Sequence, residues 1–110
     1  MPAFFFGGSH ERPYGTGLQV SFADIDPQTL TLSPEDAADA IGIRTAALLE
    51  VHTFGVPCDV DALAELAERS GMALLFDAAD AFGSRRRGQP PGGSGDAEMF
   101  SLSPSRVRAA

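Results

Sequence analysis

Met72-Ala73-Leu74-Leu75-Phe76 is a run of five apolar residues closed by Asp77. A strand covered on both faces reads as such an unbroken run, whereas a half-exposed strand alternates. The run therefore predicts a buried strand in a parallel sheet, and the residues before it agree. Asp59 stands where a helix over 59–70 needs its N-cap. In that helix Val60, Leu63, Leu66 and Ala67 line one side while Asp61, Glu65, Glu68 and Arg69 face water, and Gly71 is the expected stop. Upstream again, Ala46 to Val51 (AALLEV) is a second buried-strand candidate. Strand, helix and strand in this order give the repeating unit of a parallel α/β sheet.

The pattern continues outward on both sides. Ser33 is a plausible N-cap, Pro34 suits the first helical position, and Asp36 sits where a capping box wants a carboxylate; Ala37, Ala40 and Ile41 then supply an apolar face. Residues 18–25 (LQVSFADI) read as a strand in which Val20 and Phe22 alternate with polar neighbours until Asp26-Pro27 stops it. Phe4 to Phe6 give a short aromatic strand signal. Residues 83–95 look hairpin-like, and 97–102 form a last strand. The expected fold is α/β: about five strands in a mostly parallel sheet with two flanking helices, all in one domain spanning residues 1–110.

Composition narrows the function. The 110 residues carry a net charge of −7, with eight arginines and no lysine. That acidity argues against general nucleic-acid binding and against an anionic membrane surface. A genome biased toward arginine codons would explain the missing lysine, but the chemical consequence is the same whatever its origin. Cys58 is the only cysteine, so no intrachain disulfide can form and a reducing compartment is expected. No signal peptide or membrane-spanning run is present, which makes the cytoplasm the expected location.

In open parallel sheets, ligands bind beyond the carboxyl ends of the strands. Asp77 occupies that place on the most buried strand, and position alone leaves it as either a solvated strand end or a ligand contact. Other polar features have simpler readings. Asp24-x-Asp26 precedes Pro27 and reads as a turn rather than a metal site, and Asp59-x-Asp61 reads as helix capping. His10 and His52 lack ligand-spaced neighbours and read as surface or strand-end histidines. Ser9-His10 has no nucleophile elbow, Gly92-Gly93-Ser94-Gly95 is not followed by Lys and a helix, and Arg85-Arg86-Arg87 reads as a solvated turn. Glu50 sits inside an apolar strand run, where strand-end exposure is its expected explanation.

Several segments in register carry a family resemblance. Val51-His52-Thr53-Phe54-Gly55, Asp59-Val60-Asp61-Ala62-Leu63, residues 76–83 (FDAADAFG) and residues 95–101 (GDAEMFS) are similar to the VHLYG, DMDAL, EDAAQAHG and GDAGCFSF segments of the DegT/DnrJ/StrS sugar aminotransferases. Pro2 to Phe6 and Phe22 to Pro27 resemble that family's PSFTF and FVDIDP. The match runs nearly end to end. It implies the central slice of the large domain of a fold-type I transferase dependent on pyridoxal phosphate, acting in nucleotide-sugar or antibiotic-sugar biosynthesis.

The resemblance also implies roles for particular residues. Asp77 matches the aspartate that pairs with the protonated pyridine nitrogen of pyridoxal phosphate, Phe6 falls where an aromatic ring stacks on the cofactor, and Ser101 matches a serine near its phosphate. Two positions depart. Asp80 stands where the family has a glutamine that can donate to the phenolic oxygen, and an ionised Asp80 only accepts. Arg106 stands where the family has its Schiff-base lysine, and a guanidinium stays protonated with no free amine to offer. The cofactor would thus be held non-covalently if at all. The family's phosphate-binding N-terminal portion and its C-terminal lobe have no counterpart here, and its members complete each site across a homodimer. The resemblance therefore implies a partial, truncated aminotransferase-like chain that is inactive alone, a pseudoenzyme. Two other readings stay open. One is a non-catalytic module that binds ligand or docks on a full-length paralogue or a second copy; the other is a truncated gene product with no selected role. In any of them, uncovered sheet faces and edges should promote self-association.

Overall fold

The computed structural model describes residues 1–4, 15–90 and 92–103. Its centre is a three-stranded sheet: β1 (Ala47–Val51), β2 (Ala73–Asp77) and β3 (Ala97–Met99), lying in that order. Both pairings are parallel, with Leu48 opposite Leu74, Val51 opposite Asp77, and Asp77 opposite Met99. The apolar run thus occupies the middle strand, as its composition requires. The expected Leu18–Ile25 strand does not join this sheet. There, Pro2 and Ala23 form an isolated parallel bridge, and Ile25 pairs with Leu32 across a turn. Ala23 is the buried residue, while Leu18 and Phe22 are exposed. The alternation of Val20 and Phe22 therefore does not mark an inward face. The last strand is also shorter than expected, ending at Met99. Among the described residues the sheet has three strands where about five were expected, and most of the expected Phe4–Phe6 strand lies outside those residues.

Both helices form where their caps predict. Helix α1 (Pro34–Ala40) starts at Ser33, whose Oγ accepts from the Asp36 N–H at 3.2 Å. Helix α2 (Val60–Ser70) starts at Asp59, which accepts from the Ala62 N–H, and ends at Gly71 in the left-handed conformation at φ 65°. Leu63, Leu66 and Ala67 of α2 pack with Leu48, Leu74 and Phe76 of the sheet and with Ala37 of α1. Ala40, expected on the buried side of α1, is exposed. The core side chains of the strands are thus the even-numbered ones. The odd-numbered face behaves differently. Leu49 and Leu75 are only partly covered, and Ala47, Ala97 and Met99 are exposed, until the face closes at the strand ends around Val51 and Asp77.

The even face also buries polar groups. Glu50 is not a strand end but wholly buried, its carboxylate accepting from the Leu32 N–H at 3.3 Å. Parity explains this, since Glu50 points to the same side as Leu48. Burial with so little compensation pushes its pKa up to about 8, against the opposing pull of the Leu32 and Val51 N–H groups. No helix among the described residues is long and apolar enough to cross a membrane.

Candidate functional site at the strand ends

Asp77 closes β2 on the odd side of the sheet and is 6% exposed. Its position is fixed from three directions. Its carbonyl accepts from the His52 N–H at 3.0 Å, the next N–H, of Ala78, donates to Met99 at 2.8 Å, and its own Oδ1 accepts from the Ala79 N–H at 3.0 Å. Ala78 and Ala81 are fully buried, which lets the chain turn tightly beneath the carboxylate. The loop after β1 lies on this turn. At Gly55 (φ 76°) a Cβ would come within 3.0 Å of the Asp80 carbonyl oxygen, so the close approach needs glycine. Before it, Phe54 adopts a left-handed conformation at φ 54° with its ring 72% exposed. Such a conformation costs on the order of 1–3 kcal/mol for a residue other than glycine. The Phe54 ring meets Phe4 edge-on with centroids 6.2 Å apart, which brings the N-terminal segment to the same end of the sheet.

The residues singled out from sequence are distributed as follows. Asp77 and Asp80 flank one turn, with Asp80 half-buried. Ser101 follows β3 by two residues at the same end, its Oγ accepting from the Ser103 N–H at 3.3 Å. Phe6 and Arg106 lie outside the described residues. Asp24-x-Asp26 is a turn as read, since Asp26 Oδ1 accepts from the Gln28 N–H at 2.7 Å. Asp59 caps α2 as read, and both it and Asp61 also receive Arg86, at 3.3 and 2.8 Å, so the arginine run is tied to the helix start rather than simply solvated. No group of three or more potential metal ligands occurs among the described residues. A groove of about 250 Å³ lies between α1 and α2, lined by Pro34, Ala38, Ala62, Leu66 and charged neighbours, and no strand end contributes to it.

Two residues at this end were not anticipated. His52 is a strand-end histidine, one of the two readings of it, but a buried one at 3% exposed, and its ring stacks on Phe76 with centroids 5.2 Å apart. Glu98, on β3, places Oε1 3.8 Å from His52 Nε2, and its Oε2 is buried without a hydrogen-bond partner. Burial holds the His52 pKa below its ordinary value, partly opposed by the Asp77 charge. Burial likewise pushes Glu98 up, opposed by the Gly92 N–H. The signal for this pair was present but nonlocal: Glu98 shares the even face with Phe76 only once β3 is registered on β2. That register is itself built by the Gly-Asp of residues 95–96. Asp96 accepts from the Leu74 N–H and donates to the Leu74 carbonyl, both at 2.8 Å, and a Cβ at Gly95 would fall 2.6 Å from that carbonyl oxygen.

Comparison with known proteins gives one consistent answer. A sequence model of the DegT/DnrJ/EryC1/StrS aminotransferase family matches residues 1–109. The L-glutamine:2-deoxy-scyllo-inosose aminotransferase of Streptoalloteichus tenebrarius is 42% identical over 106 residues, covering 96% of this chain and 25% of that protein. Among solved structures, DesI, determined in the presence of its TDP-sugar product, superposes with a TM-score of 0.88 at 43% identity, covering 91% of this chain and 26% of DesI. DesV of S. venezuelae superposes with a TM-score of 0.89 at 37% identity, covering 96% and 29%. The chain spans about a quarter of the length of the curated relatives it matches.

Proposed function

The chain belongs to the DegT/DnrJ/EryC1/StrS aminotransferase family, and we propose that it holds pyridoxal phosphate non-covalently and does not transaminate by itself. The carrying observation is Asp77, a buried carboxylate fixed at the end of the central strand with one oxygen anchored by the Ala79 N–H. Such a group fits the N–H of a protonated pyridine ring. When bound, that ring supplies the electron sink for amino-group transfer. The contact is worth roughly 1.5–3 kcal/mol.

The other residues divide by chemistry. Ser101 offers a hydroxyl toward the phosphate and Phe6 is assigned ring stacking, both by family position; Arg106, at the family's lysine position, can lend positive charge to the phosphate but no amine. Asp80 offers an acceptor where an amide would donate, which weakens the hold on the phenolic oxygen. No side chain can supply a neutral amine, because the sequence has no lysine. The α-amino group of Met1 is engaged by the Ser21 carbonyl at 3.0 Å.

The test is titration of the purified chain with pyridoxal phosphate and pyridoxamine phosphate, followed by borohydride reduction and peptide mass spectrometry. We expect reversible binding that Asp77→Ala weakens about 10- to 150-fold, matching the contact energy above, and no phosphopyridoxyl group on any side chain. Conversion of a keto-sugar with an amino donor by the unmodified chain would overturn the reading.

A second reading is favoured by the open odd face of the sheet. Parallel sheets are ordinarily covered on both sides, and Ala47, Ala97 and Met99 are uncovered here. A full-length member of the same family is the partner that this reading specifies. Its expected signature is a stoichiometric complex in sedimentation that is lost when Met99 and Leu75 are both made polar.

A further inference from the structure

Glu98 stands where the GDAGCFSF segment that residues 95–101 resemble has glycine. Its side chain is not on the surface. The side chains of His52 and Glu98 are 4% and 6% exposed, 3.8 Å apart. Phe76 closes one side of the imidazole by stacking. The Cys58 N–H donates to Nδ1 at 3.5 Å, so in the neutral ring the proton sits on Nε2 and faces Glu98 Oε1. Glu98 Oε2 has no partner. At 3.8 Å the approach of His52 to Glu98 is a charge contact rather than a hydrogen bond; holding one proton between the two groups keeps net charge out of a site that offers Oε2 no partner.

We infer that His52 and Glu98 form a one-proton pair acting as positioning residues for Asp77: the pair sets the charge behind the strand end that carries Asp77, and thereby how strongly that carboxylate holds a protonated heteroaromatic ring nitrogen. The role for the ring rests on the function proposed above; the shared proton does not. With one proton the pair is neutral overall, whether the proton sits on Glu98 or makes an imidazolium facing a carboxylate. Losing that proton leaves a net −1 in a dry site. The His52 backbone N–H is bonded to the Asp77 carbonyl, and Asp77 acts electrostatically on His52, so the two sites are joined through the strand end. A charge gained by the pair at higher pH favours the cationic form of a ring held by Asp77. Binding of a pyridinium should then strengthen as pH rises through the pair's titration.

The other charged or titratable groups around the pair are few. Glu50 lies on the same sheet face two residues before His52, Asp77 closes β2, and Cys58 and Asp59 precede α2. Arg86 reaches Asp59 from the loop after β2. The Cys58 thiol is pushed far up by burial and stays neutral, and Arg86 is committed to Asp59 and Asp61. Among the described residues Glu50 is the group able to blur the titration, and Glu50→Gln removes it.

The experiment has two arms. In the first, the ligand-free chain carries ¹³C-labelled His and ¹⁵N-labelled Ala. The His52 ring and the Ala79 amide, which is bonded to Asp77 Oδ1, are followed by NMR against pH in the wild type, in Glu98→Gln, and in Glu98→Gly, with the amide fingerprint checking the fold. We expect the His52 inflection to fall by on the order of one pH unit in both variants, and the matching inflection in the Ala79 amide shift to move with it. Identical His52 and Ala79 profiles in wild type and variants would overturn the inference. In the second arm, the probe is pyridoxamine phosphate at pH 6 and pH 8. Wild type should bind several-fold tighter at the higher pH and Glu98→Gln should lose most of that ratio; an unchanged ratio overturns the coupling to the ring. Absence of binding in every variant at both values sinks the function proposed above together with the ring half of this inference, and the first arm still decides the shared proton.

Discussion

The two faces of the sheet are built from adjacent residues of the same types, yet they do different things. Leu48 and Leu74 point into the core under α2 and are almost wholly buried, whereas Leu49 and Leu75, one residue on, lie on a face that is only partly covered. The covered face carries the buried polar groups Glu50, His52 and Glu98; the open one ends in Asp77. On the function proposed above, the difference teaches that strand parity separates the side chains that hold the fold from the strand-end carboxylate that meets a ligand.

The sharpest way to break this comparison is to truncate neighbours. Leu74→Ala should cost about 2–5 kcal/mol in urea unfolding, as burial of a leucine in a tight core implies, and Leu75→Ala less than half as much. Equal losses would show that the open face is packed after all. The next effect in size is pH dependence through Glu50. Its folded pKa of about 8 lies above its ordinary value of 4.5, so the folded state binds the extra proton. That stabilisation is complete below pH 4.5 and is lost as pH rises to 8, by roughly 5 kcal/mol at 1.36 kcal/mol per unit. His52 works in the opposite sense: its lowered pKa removes stability as pH falls below 6.5. Glu50→Gln keeps an acceptor for the Leu32 N–H and should flatten the alkaline slope; an unchanged slope in thermal melts would rule Glu50 out as its source.

Smaller effects sharpen the picture. Ser33→Ala removes the cap of α1, the element that covers the Ala37 end of the core, and should cost about 1 kcal/mol by chemical denaturation. Met99→Ser alters only the open face. Stability should stay within about 0.5 kcal/mol, while self-association in sedimentation should decrease, because a 40% exposed apolar side chain has been replaced.

What was legible in the sequence was what local chemistry decides. Ser33, Pro34, Asp59 and Gly71 announce both helices because caps are satisfied within a few residues. The run at 72–76 announces the central strand because burial on both sides needs no partner to be named. Residues 18–25 misled because alternation was judged on Val20 and Phe22, while the bridge forms at Ala23 with Pro2, twenty-one positions earlier. The carboxylate at the end of β2 was readable from position and from resemblance. The pair at His52 and Glu98 was not, since it exists only across two parallel pairings and forty-six residues of chain. Glu50 failed for a related reason: its parity can be counted, but which parity is covered depends on α2.

One contact bears on how freely this chain could vary. Asp96 grips both the donor and the acceptor of Leu74, and Gly95 admits the close approach, so β3 takes its register from the strand beside it and not from the span that delivers it. The exposed residues 87–90 are therefore a place where length is nearly free. Doubling a flexible loop adds only about 0.6 kcal/mol of closure entropy, and the strand would still dock with Glu98 against His52 and Met99 beside Asp77. An epitope or a reporter peptide inserted between Gln89 and Pro90, both exposed and ahead of the Gly92 N–H that serves Glu98, should leave the carboxylate end of the sheet as it is, which makes that turn the natural handle for attaching a label.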